Sequence, residues 1–435
     1  MNPVAEPMRQ LESSAGNDSL QRRSLLSNMV ALGVVQYSGY LLSFLTLPIL
    51  ARALEPAAYG RLAIALALIG YANLLVEFGF NFSATRRIAM AGTDLVGRRA
   101  VLWDVFYARL ALTGVGTVAI LILGWLLFDA TGVNTLLLLS LPALAASALN
   151  TTWYFQGLEN VGRAAWPNIV PRLFAVPLLL FHVRSPADAG AAALILGLAP
   201  LLAVCINLWQ LHRLGELQFH RPDRTRVASV MTDSWPLFLS NAAITLYTST
   251  NVLLLGVLVG EAAAAFYTAA DKVIRLFHML ISPLTQAVFP HATRLLNEPG
   301  PQGAALIRKL LAIQGLIGLA FSLAVLACAP WIVHLVFGVA FEQAIPVLRI
   351  LALLPIVTSL SHVCGIQVMI PLGHSAPFGR IVASAAGVNL VLLIPLTLWL
   401  SEAGTALTSL VTELFVTTAM MLFVARRYPA FLRKG

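Results

Sequence analysis

The chain has 435 residues, of which 59% are hydrophobic and only 11% are charged. Soluble domains carry about 25% charged residues, so this composition excludes a soluble protein and predicts an integral membrane protein. The net charge of +9 does not indicate nucleic-acid binding, because the basic residues are spread over loops on one side of the predicted membrane. The three cysteines lie in apolar runs without metal-ligand spacing, which favours packing and predicts neither a metal site nor a cofactor.

Apolar runs of about 20 residues or more, separated by short polar breaks, predict helical membrane spans rather than the alternating strands of a membrane barrel. The run that begins at residue 25 is too long for a signal peptide, so it is predicted to be a retained first span. The predicted fold class is an all-α integral membrane protein with about twelve transmembrane helices. The spans are predicted at 25–50, 59–80, 105–128, 134–155, 164–182, 190–211, 235–258, 262–288, 309–337, 345–370, 378–400 and 404–425.

The loop charges predict the orientation of these spans. If the N-terminus is cytoplasmic, nearly all loop Lys and Arg residues fall on the inner side, and only Arg52, Arg61 and Arg184 fall on the outer side. We therefore predict that both termini are cytoplasmic. The predicted parts are a polar cytoplasmic tail (1–23), an N-terminal six-helix lobe (24–211), a cytoplasmic linker (212–227), a C-terminal six-helix lobe (228–426) and a basic cytoplasmic tail (427–435).

A weak internal repeat relates the two predicted lobes. The sequence EPAAYG from Glu55 is followed by ATR at Ala84, and EAAAAF from Glu261 is followed by ATR at Ala292, at nearly the same offset. Six spans per half give both halves the same orientation, so a pseudo-twofold axis along the membrane normal is expected. Two such bundles around a central cavity are typical of a transporter. The sequence contains no GxxxxGK[ST] phosphate loop, which favours an ion gradient as the driving force.

The predicted eighth span, within residues 261–294, carries charges in its middle. On a helical wheel its polar side chains fall within an arc of about 140°. Such a face needs water or paired charges, because a charge at mid-membrane costs about 2.5–3.5 kcal/mol. Lys272 and Arg275 are the main candidates for contact with an anionic substrate; alternatively they stabilise helix contacts, since Asp271 and Arg275 can pair four residues apart. The polar face comprises Tyr267, Thr268, Asp271, Lys272, Arg275, His278, Ser282 and Gln286.

Other embedded basic residues are candidates for the same cationic cavity. Arg172 lies beside Pro167 and Pro171 in the fifth span and is predicted either to bind substrate or to serve structure. Arg349, towards the outer end of its span, suits a cationic rim or an interfacial anchor. Arg109 is expected to extend its guanidinium to the nearby cytoplasmic interface.

Embedded acids and amides complete the set of candidate residues. Glu413, Asp271 and Glu77 are candidates for ion or proton coupling, because a carboxylate in a low dielectric can exchange protons; Glu413 alternatively balances a basic residue. Asn241, Thr245 and Thr248 form a polar stripe on the seventh span. They are predicted either to line the cavity together with His278 or to join helices by hydrogen bonds. No catalytic residue is predicted.

Several stretches resemble the bacterial polysaccharide biosynthesis proteins known as O-antigen (Wzx-type) flippases, of the multidrug/oligosaccharidyl-lipid/polysaccharide exporter superfamily. The resemblance covers nearly the whole chain after residue 23, in the same order. It implies an inner-membrane protein of twelve helices in two bundles, which moves a polyprenyl-diphosphate-linked oligosaccharide to the periplasmic leaflet by alternating access. The stretches are FGFNFSATRRIA (78–89), WYFQGLE (153–159), YTAADKVIRL (267–276), FGVAFEQAIPVLRILALLPI (337–356) and MIPLGHSAPFGR (369–380).

We therefore predict a flippase for a lipid-linked oligosaccharide rather than an enzyme. The expected partners are this substrate, membrane lipid and other glycan assembly proteins. One alternative is a multidrug or organic-cation antiporter of the same architecture, although cationic drugs favour an acidic cavity and the embedded bases here outnumber the acids. Another alternative is a membrane glycan polymerase or ligase, which is disfavoured because its reacting site is typically built on a large periplasmic loop.

Overall fold

The computed structural model describes residues 44–128, 131–298 and 300–431, and every regular element in these ranges is a helix. The predicted N-terminal tail and most of the first predicted span lie outside the described residues, as do the last four residues of the basic tail. The all-α fold class predicted from the sequence is therefore confirmed for the described residues. The reason is chemical: in a membrane every backbone polar group must find its partner within the protein, and a helix provides these partners locally.

Thirteen α-helices follow one another along the described ranges. A π-helix, Val363–Met369, connects α12 to α13. The α-helices are α1 (44–77), α2 (Phe80–Ala91), α3 (Leu95–Phe128), α4 (Val133–Ala148), α5 (Thr152–Gly157), α6 (Val161–His182), α7 (Ala189–Arg213), α8 (Arg224–Leu258), α9 (Glu261–Asn297), α10 (Gln302–Val336), α11 (Ala344–Leu351), α12 (Leu354–His362) and α13 (Ser375–Arg427).

Two of the predicted loops are absent from the described structure. The expected loop between the first two spans is a single helical break at Glu55 (φ 57°), and the loop between the last two is a break at Ser401 (φ 55°, ψ −133°). A positive φ is uncommon for a residue with a side chain, and one such residue is enough to redirect a helix. Conversely, the tenth predicted span is divided among α11, α12 and the π-helix.

Within the described ranges, eight helical stretches are long and apolar enough to cross a membrane. Two of them, Phe44–Ala91 and Ser375–Arg427, contain a helical break between two predicted spans. The predicted seventh and eighth spans correspond to α8 and α9, which are continuous helices of 35 and 37 residues.

The buried apolar residues show how the helices are grouped. We call the end of the molecule that carries the α7–α8 connection the linker end, and the opposite end, near Glu55, Glu261 and Ser401, the far end. At the far end one continuous apolar core includes residues of α1, α4, α9 and α10. At the linker end the described residues form two separate cores, one around α2, α3 and α5 and one around α10, the π-helix and α13. Among the described residues the buried apolar core is therefore continuous at the far end and divided into two separate cores at the linker end.

Candidate functional site

The polar helix α9 lies against the first lobe. Its apolar face is buried as expected, with Val273, Ile274 and Phe277 each less than 5% exposed. On its polar face, Lys272 Nζ donates a hydrogen bond to Tyr59 Oη at 3.0 Å and lies 5.3 Å from the centre of the tyrosine ring. This combines a hydrogen bond with a cation–π contact. Lys272 therefore joins the two lobes in this conformation.

Asp271 and Arg275 form the ion pair that their spacing allows. The Arg275 Nε to Asp271 Oδ2 distance is 2.5 Å, and the Arg275 side chain remains 57% exposed. The structure thus shows the intrahelical contact that the sequence offered as the alternative to substrate binding. An exposed ion pair of this kind contributes little to stability. Contact between Arg275 and a substrate remains a prediction.

The two copies of the weak repeat meet at the far end. Arg61 NH1 lies 3.5 Å from Glu261 Oε2. A Cβ atom added to Gly60 would lie only 1.8 Å from the carbonyl oxygen of Glu261. Tyr59 also packs its ring edge against Phe341, with ring centroids 5.7 Å apart. The sequence indicated that these segments are related, but it gave no sign that they touch.

A cavity of about 300 Å³ separates α1 from α8. Glu77 lines it from α1, and Asn241 and Thr245 line it from α8. The hydrogen bond between Tyr71 Oη and Thr250 Oγ1, at 2.5 Å, joins the same two helices. The structure thus brings together three of the residues that the sequence proposed separately. The side chains of two further candidates, Thr248 and Gln286, lie outside the described part of the chain.

A hydrogen-bonded cluster that the sequence did not predict connects α8, α9 and α13. Asn251 Nδ2 donates to Tyr267 Oη at 3.0 Å and to Ser409 Oγ at 2.8 Å, and the two hydroxyls lie 2.9 Å apart. Asp271 follows Tyr267 by one helical turn, and Glu413 follows Ser409 by one turn. Both helix segments run from the far end towards the linker end, so the two carboxylates lie on the same side of this cluster. Their role in ion or proton coupling remains a prediction.

The remaining predicted residues are more dispersed. Arg172 is half-buried on α6, and Glu413 is half-buried on α13; neither has a hydrogen bond or ion pair with another described residue. Arg349 is exposed on α11, with no such partner in the described ranges either. His278 stacks at an angle on His362, with ring centroids 5.9 Å apart. No described contact connects Arg172 or Arg349 to Lys272, so a single cationic cavity of all four bases remains a prediction.

The expectation that Arg109 extends to the interface was wrong. Its side chain is 1% exposed. The guanidinium donates to the carbonyl oxygens of Ser147 and Asn150 at 3.3 and 2.9 Å, and to Asn81 Oδ1 at 3.0 Å. It also lies 5.8 Å from the ring centre of Trp153. Carbonyl groups freed at the end of α4 are acceptors that hydropathy does not show, and they replace the water that a snorkelling arginine would reach.

The connection between α7 and α8 is fastened to the first lobe. Arg226 Nε lies 2.8 Å from Asp104 Oδ2, and Arg98 NH2 lies 2.7 Å from Glu216 Oε1. Asp223 caps the start of α8 by accepting a hydrogen bond from the Thr225 backbone N–H at 2.7 Å. Hydrogen bonds from Thr225 stabilise the ionised carboxylate and therefore lower the pKa of Asp223. The ion pair with Asp104 in turn raises the pKa of Arg226.

The first part of α8 also packs on α2. Ser83 Oγ lies 2.6 Å from Ser234 Oγ, and Arg87 NH2 lies 2.6 Å from Asp233 Oδ2. The Phe238 ring stacks on Phe78 with centroids 4.5 Å apart. The later part of α8 contributes Asn251 to the cluster with α9 and α13. Thus α8 contacts the first lobe near the linker end and the second lobe near the far end.

The fold is that of known membrane transporters. An inward-facing structure of a multidrug resistance MATE family transporter of the MOP superfamily superposes with a TM-score of 0.71 and 16% identity, covering 93% of this chain and 98% of that one. The inward closed structure of the lipid II flippase MurJ superposes with a TM-score of 0.70 and 12% identity, covering 93% of this chain and 89% of that one. At these identities the likeness establishes the architecture alone, and it agrees with the predicted helical transporter fold.

Sequence comparison is more specific. A protein of Escherichia coli (strain K12) named "Putative O-antigen transporter" is 32% identical over 401 residues, which are 92% of this chain and 97% of that protein. A Shigella dysenteriae protein of the same name is 26% identical, over 91% of this chain and 98% of its own length. The model of the family described as "Polysaccharide biosynthesis protein" matches residues 25–296. The chain therefore belongs to the polysaccharide biosynthesis protein family.

Proposed function

We propose that the chain is a flippase that moves a polyprenyl-diphosphate-linked oligosaccharide from the cytoplasmic to the periplasmic leaflet of a bacterial inner membrane. The observation that carries this proposal is the arrangement of the buried cores, which are continuous at the far end and divided at the linker end. Such a molecule has one closed and one divided end, as alternating access requires. The relatives named as O-antigen transporters supply the class of substrate.

The orientation in this proposal rests on the loop charges. Arg86, Arg98, Arg99 and Arg226 all lie near the linker end, and the far end carries Arg52 and Arg61. The positive-inside rule then makes the linker end cytoplasmic. The divided end would face the compartment in which lipid-linked oligosaccharides are made, and the chain would load its substrate in the conformation described above.

Lys272 and Arg275 are the proposed substrate contacts on α9. A diphosphate attracts both groups through charge-assisted hydrogen bonds. Lys272 would exchange the Tyr59 hydroxyl for a phosphate oxygen, which would weaken the contact between the lobes at that level. Substrate binding would thereby favour separation of the far end. Arg172 and Arg349 are assigned to the same function with less structural support, since neither lies in a described contact with α9.

The driving force is proposed to be an ion gradient, with Glu413, Asp271 and Glu77 as the candidate carboxylates. One charge moved across about 150 mV is worth about 3.5 kcal/mol, which biases transport by several hundred-fold. The polyprenyl tail would remain in lipid and pass along the gap between the lobes. Only the diphosphate and sugars would then require the polar interior.

Deletion of the gene tests the proposal directly. Lipid-linked oligosaccharide should accumulate on the cytoplasmic face, and surface glycan should be lost until the wild-type gene is restored. Restoration by the double variant Lys272→Gln/Arg275→Gln should fail although the protein reaches the membrane. The matched control is Arg294→Gln/Lys309→Gln, which removes two exposed bases near the linker end and should restore glycan. Normal glycan with the first double variant would refute the role assigned to α9.

The second candidate function is export of organic cations, which the structural likeness to a multidrug resistance transporter favours. It predicts that the protein in vesicles extrudes a fluorescent cation when a proton or sodium gradient is imposed. Gradient-driven efflux without any change in lipid-linked oligosaccharide would select this alternative.

A further inference from the structure

A second, larger cavity lies at the linker end of the first lobe. Its volume is about 580 Å³, within the range of about 300–1,000 Å³ that is typical of small-molecule sites. Asn81 and Arg86 line it from α2, Asn150 lines it from the turn after α4, and Gln156 lines it from α5. The sequence analysis assigned no function to these four residues.

The amide donors of this cavity are held in fixed orientations. Asn81 Oδ1 accepts a hydrogen bond from Arg109, and Asn150 Oδ1 accepts one from the Thr152 backbone N–H at 2.9 Å. Since an amide group is planar, each Nδ2 is directed away from these partners. Neither Nδ2 hydrogen-bonds another described residue, and the same is true of the Gln156 side chain and the Arg86 guanidinium. The cavity therefore presents several N–H donors that the described structure leaves available.

The charge around these donors is predominantly positive. The Arg109 guanidinium lies behind Asn81 and Asn150 and is fully buried. Glu77 interacts with it electrostatically, but not as an ion pair within 4.0 Å. Arg86 adds a second cation on the cavity lining. The only acid among the described lining residues is Glu159, which is exposed. In a low dielectric the attraction of a cation reaches further than in water.

A third guanidinium belongs to the same region. Asn168 on α6 donates to Thr152 Oγ1 at 3.5 Å, and Thr152 is part of the cavity lining. Arg172 follows Asn168 by four residues and therefore lies on the same face of α6, one turn further from the linker end. Arg172 is not among the residues that line the cavity. It adds a positive charge one helical turn beyond Asn168.

We propose that this cavity binds the diphosphate group of the lipid-linked substrate before transport, an inference that rests on the proposed flippase function. Oriented N–H donors combined with guanidinium groups are the chemistry that recognises phosphate oxygens, which only accept hydrogen bonds. The first lobe then holds the anion at loading, whereas the sequence made Lys272 and Arg275 on α9 the main candidates for contact with an anionic substrate. Lys272 and Arg275 would receive the diphosphate at a later step.

Binding measurements on the full chain in phosphatidylcholine nanodiscs test this proposal. The probes are inorganic pyrophosphate, farnesyl diphosphate and farnesol, with calorimetric detection. Farnesyl diphosphate should bind and be displaced by pyrophosphate, and farnesol should not compete. A hydrogen bond to a charged group is worth about 1.5–3 kcal/mol, so Arg86→Gln should weaken binding of farnesyl diphosphate by about tenfold or more.

A second variant examines the oriented amide. Asn81→Asp keeps the oxygen that accepts from Arg109 and replaces the donor by a negative charge, so it should weaken binding at least as strongly as Arg86→Gln. The control is Arg163→Gln, which removes an exposed arginine from the same end of the molecule outside the cavity lining. It should bind farnesyl diphosphate as the wild type does. Thermal unfolding of each variant verifies that it is folded. Replacement of Arg86 should not unfold the protein, because its side chain has no described hydrogen bond to lose.

Three results would overturn the inference. The first is unchanged affinity for farnesyl diphosphate in a folded Arg86→Gln protein. The second is undetectable binding of pyrophosphate and farnesyl diphosphate to the wild type. The third is a loss of farnesyl diphosphate binding that occurs only in nanodiscs containing phosphatidylglycerol. In that case the anionic lipid headgroup would occupy the cavity in place of the diphosphate. Each leaves the flippase proposal standing if deletion of the gene still causes lipid-linked oligosaccharide to accumulate, whereas failure of that deletion experiment would refute the flippase proposal itself.

Discussion

Replacement of Gly60 by alanine should shift the balance between the two conformations of the transport cycle. An added Cβ would lie 1.8 Å from Glu261 O. An ordinary contact between these atoms requires about 3.2–3.5 Å, so the start of α9 has to move by roughly 1.5 Å. Because the obstacle is backbone, no rotamer change relieves it. Overpacking of this kind costs about 1–3 kcal/mol, which corresponds to a change of about 5- to 150-fold in the equilibrium between closed and open far ends.

Electron-spin distance measurements in nanodiscs would report this shift. One label pair at Arg184 and Val339 spans the far end, and a second pair at Met90 and Asn297 spans the linker end; all four residues are exposed. The natural cysteines are first replaced. In Gly60→Ala the far-end distances should lengthen and the linker-end distances should shorten.

The matched control for this experiment is Gly70→Ala in the same helix, where no heavy atom outside the helix lies within 4 Å of the added Cβ. It makes the same change in helix propensity without the collision, so its distances should be those of the wild type. Distances in Gly60→Ala that equal those of the wild type at both ends would show that the close approach at Gly60 does not hold the far end closed.

Three further predictions concern the linker end. Arg109→Met should lower the thermal unfolding midpoint of the purified protein more than Arg163→Met does, because Asn81 Oδ1 loses its donor and a buried acceptor left without a donor costs about 1–3 kcal/mol. Ser147 O and Asn150 O each lose one donor and keep another; equal midpoints would contradict the buried role. Asp104→Ala should release Arg226 and make the linker a substrate for limited trypsin digestion, which gel electrophoresis would detect, and an equally resistant variant would show that the ion pair does not fasten the linker. The depressed pKa of Asp223 means that its cap is fully effective above the ordinary carboxyl pKa of 3.8 and is lost as the pH falls through the lower value in the folded protein. The difference in unfolding midpoint between wild type and Asp223→Ala should thus be constant from pH 7 to about pH 5 and decrease below about pH 4; a difference that does not decrease there would contradict the assignment.

The sequence was informative where a physical rule acts along the chain. Hydropathy located the spans, and helical periodicity separated the polar face of α9 from its apolar face. The spacing of Asp271 and Arg275 correctly indicated that they pair. These are local properties, because residues three or four apart on a helix are neighbours whatever the rest of the molecule does.

Contacts between distant segments were not accessible in this way. Nothing near Lys272 in the sequence points to Tyr59, since the two residues meet only when the lobes pack together. The same holds for Asn251 and Ser409. The expectation that Arg109 reaches the interface was wrong because two of its partners are backbone carbonyl oxygens near the end of α4. Every residue has such an oxygen, so the sequence does not show which ones accept a side-chain hydrogen bond. The assignment of substrate and coupling roles to individual residues remains a set of predictions.

The continuous core at the far end has an electrical consequence. If water enters between the two separate cores at the linker end, it carries the potential of that compartment deep into the molecule. The membrane voltage then falls mainly across the closed far end rather than across the full thickness of the bilayer. Lys272 lies against Tyr59 close to this barrier, with Asp271 beside it. Charges in this position experience a steep field, so the rate of their movement should depend on membrane voltage even though they shift by only a few ångströms.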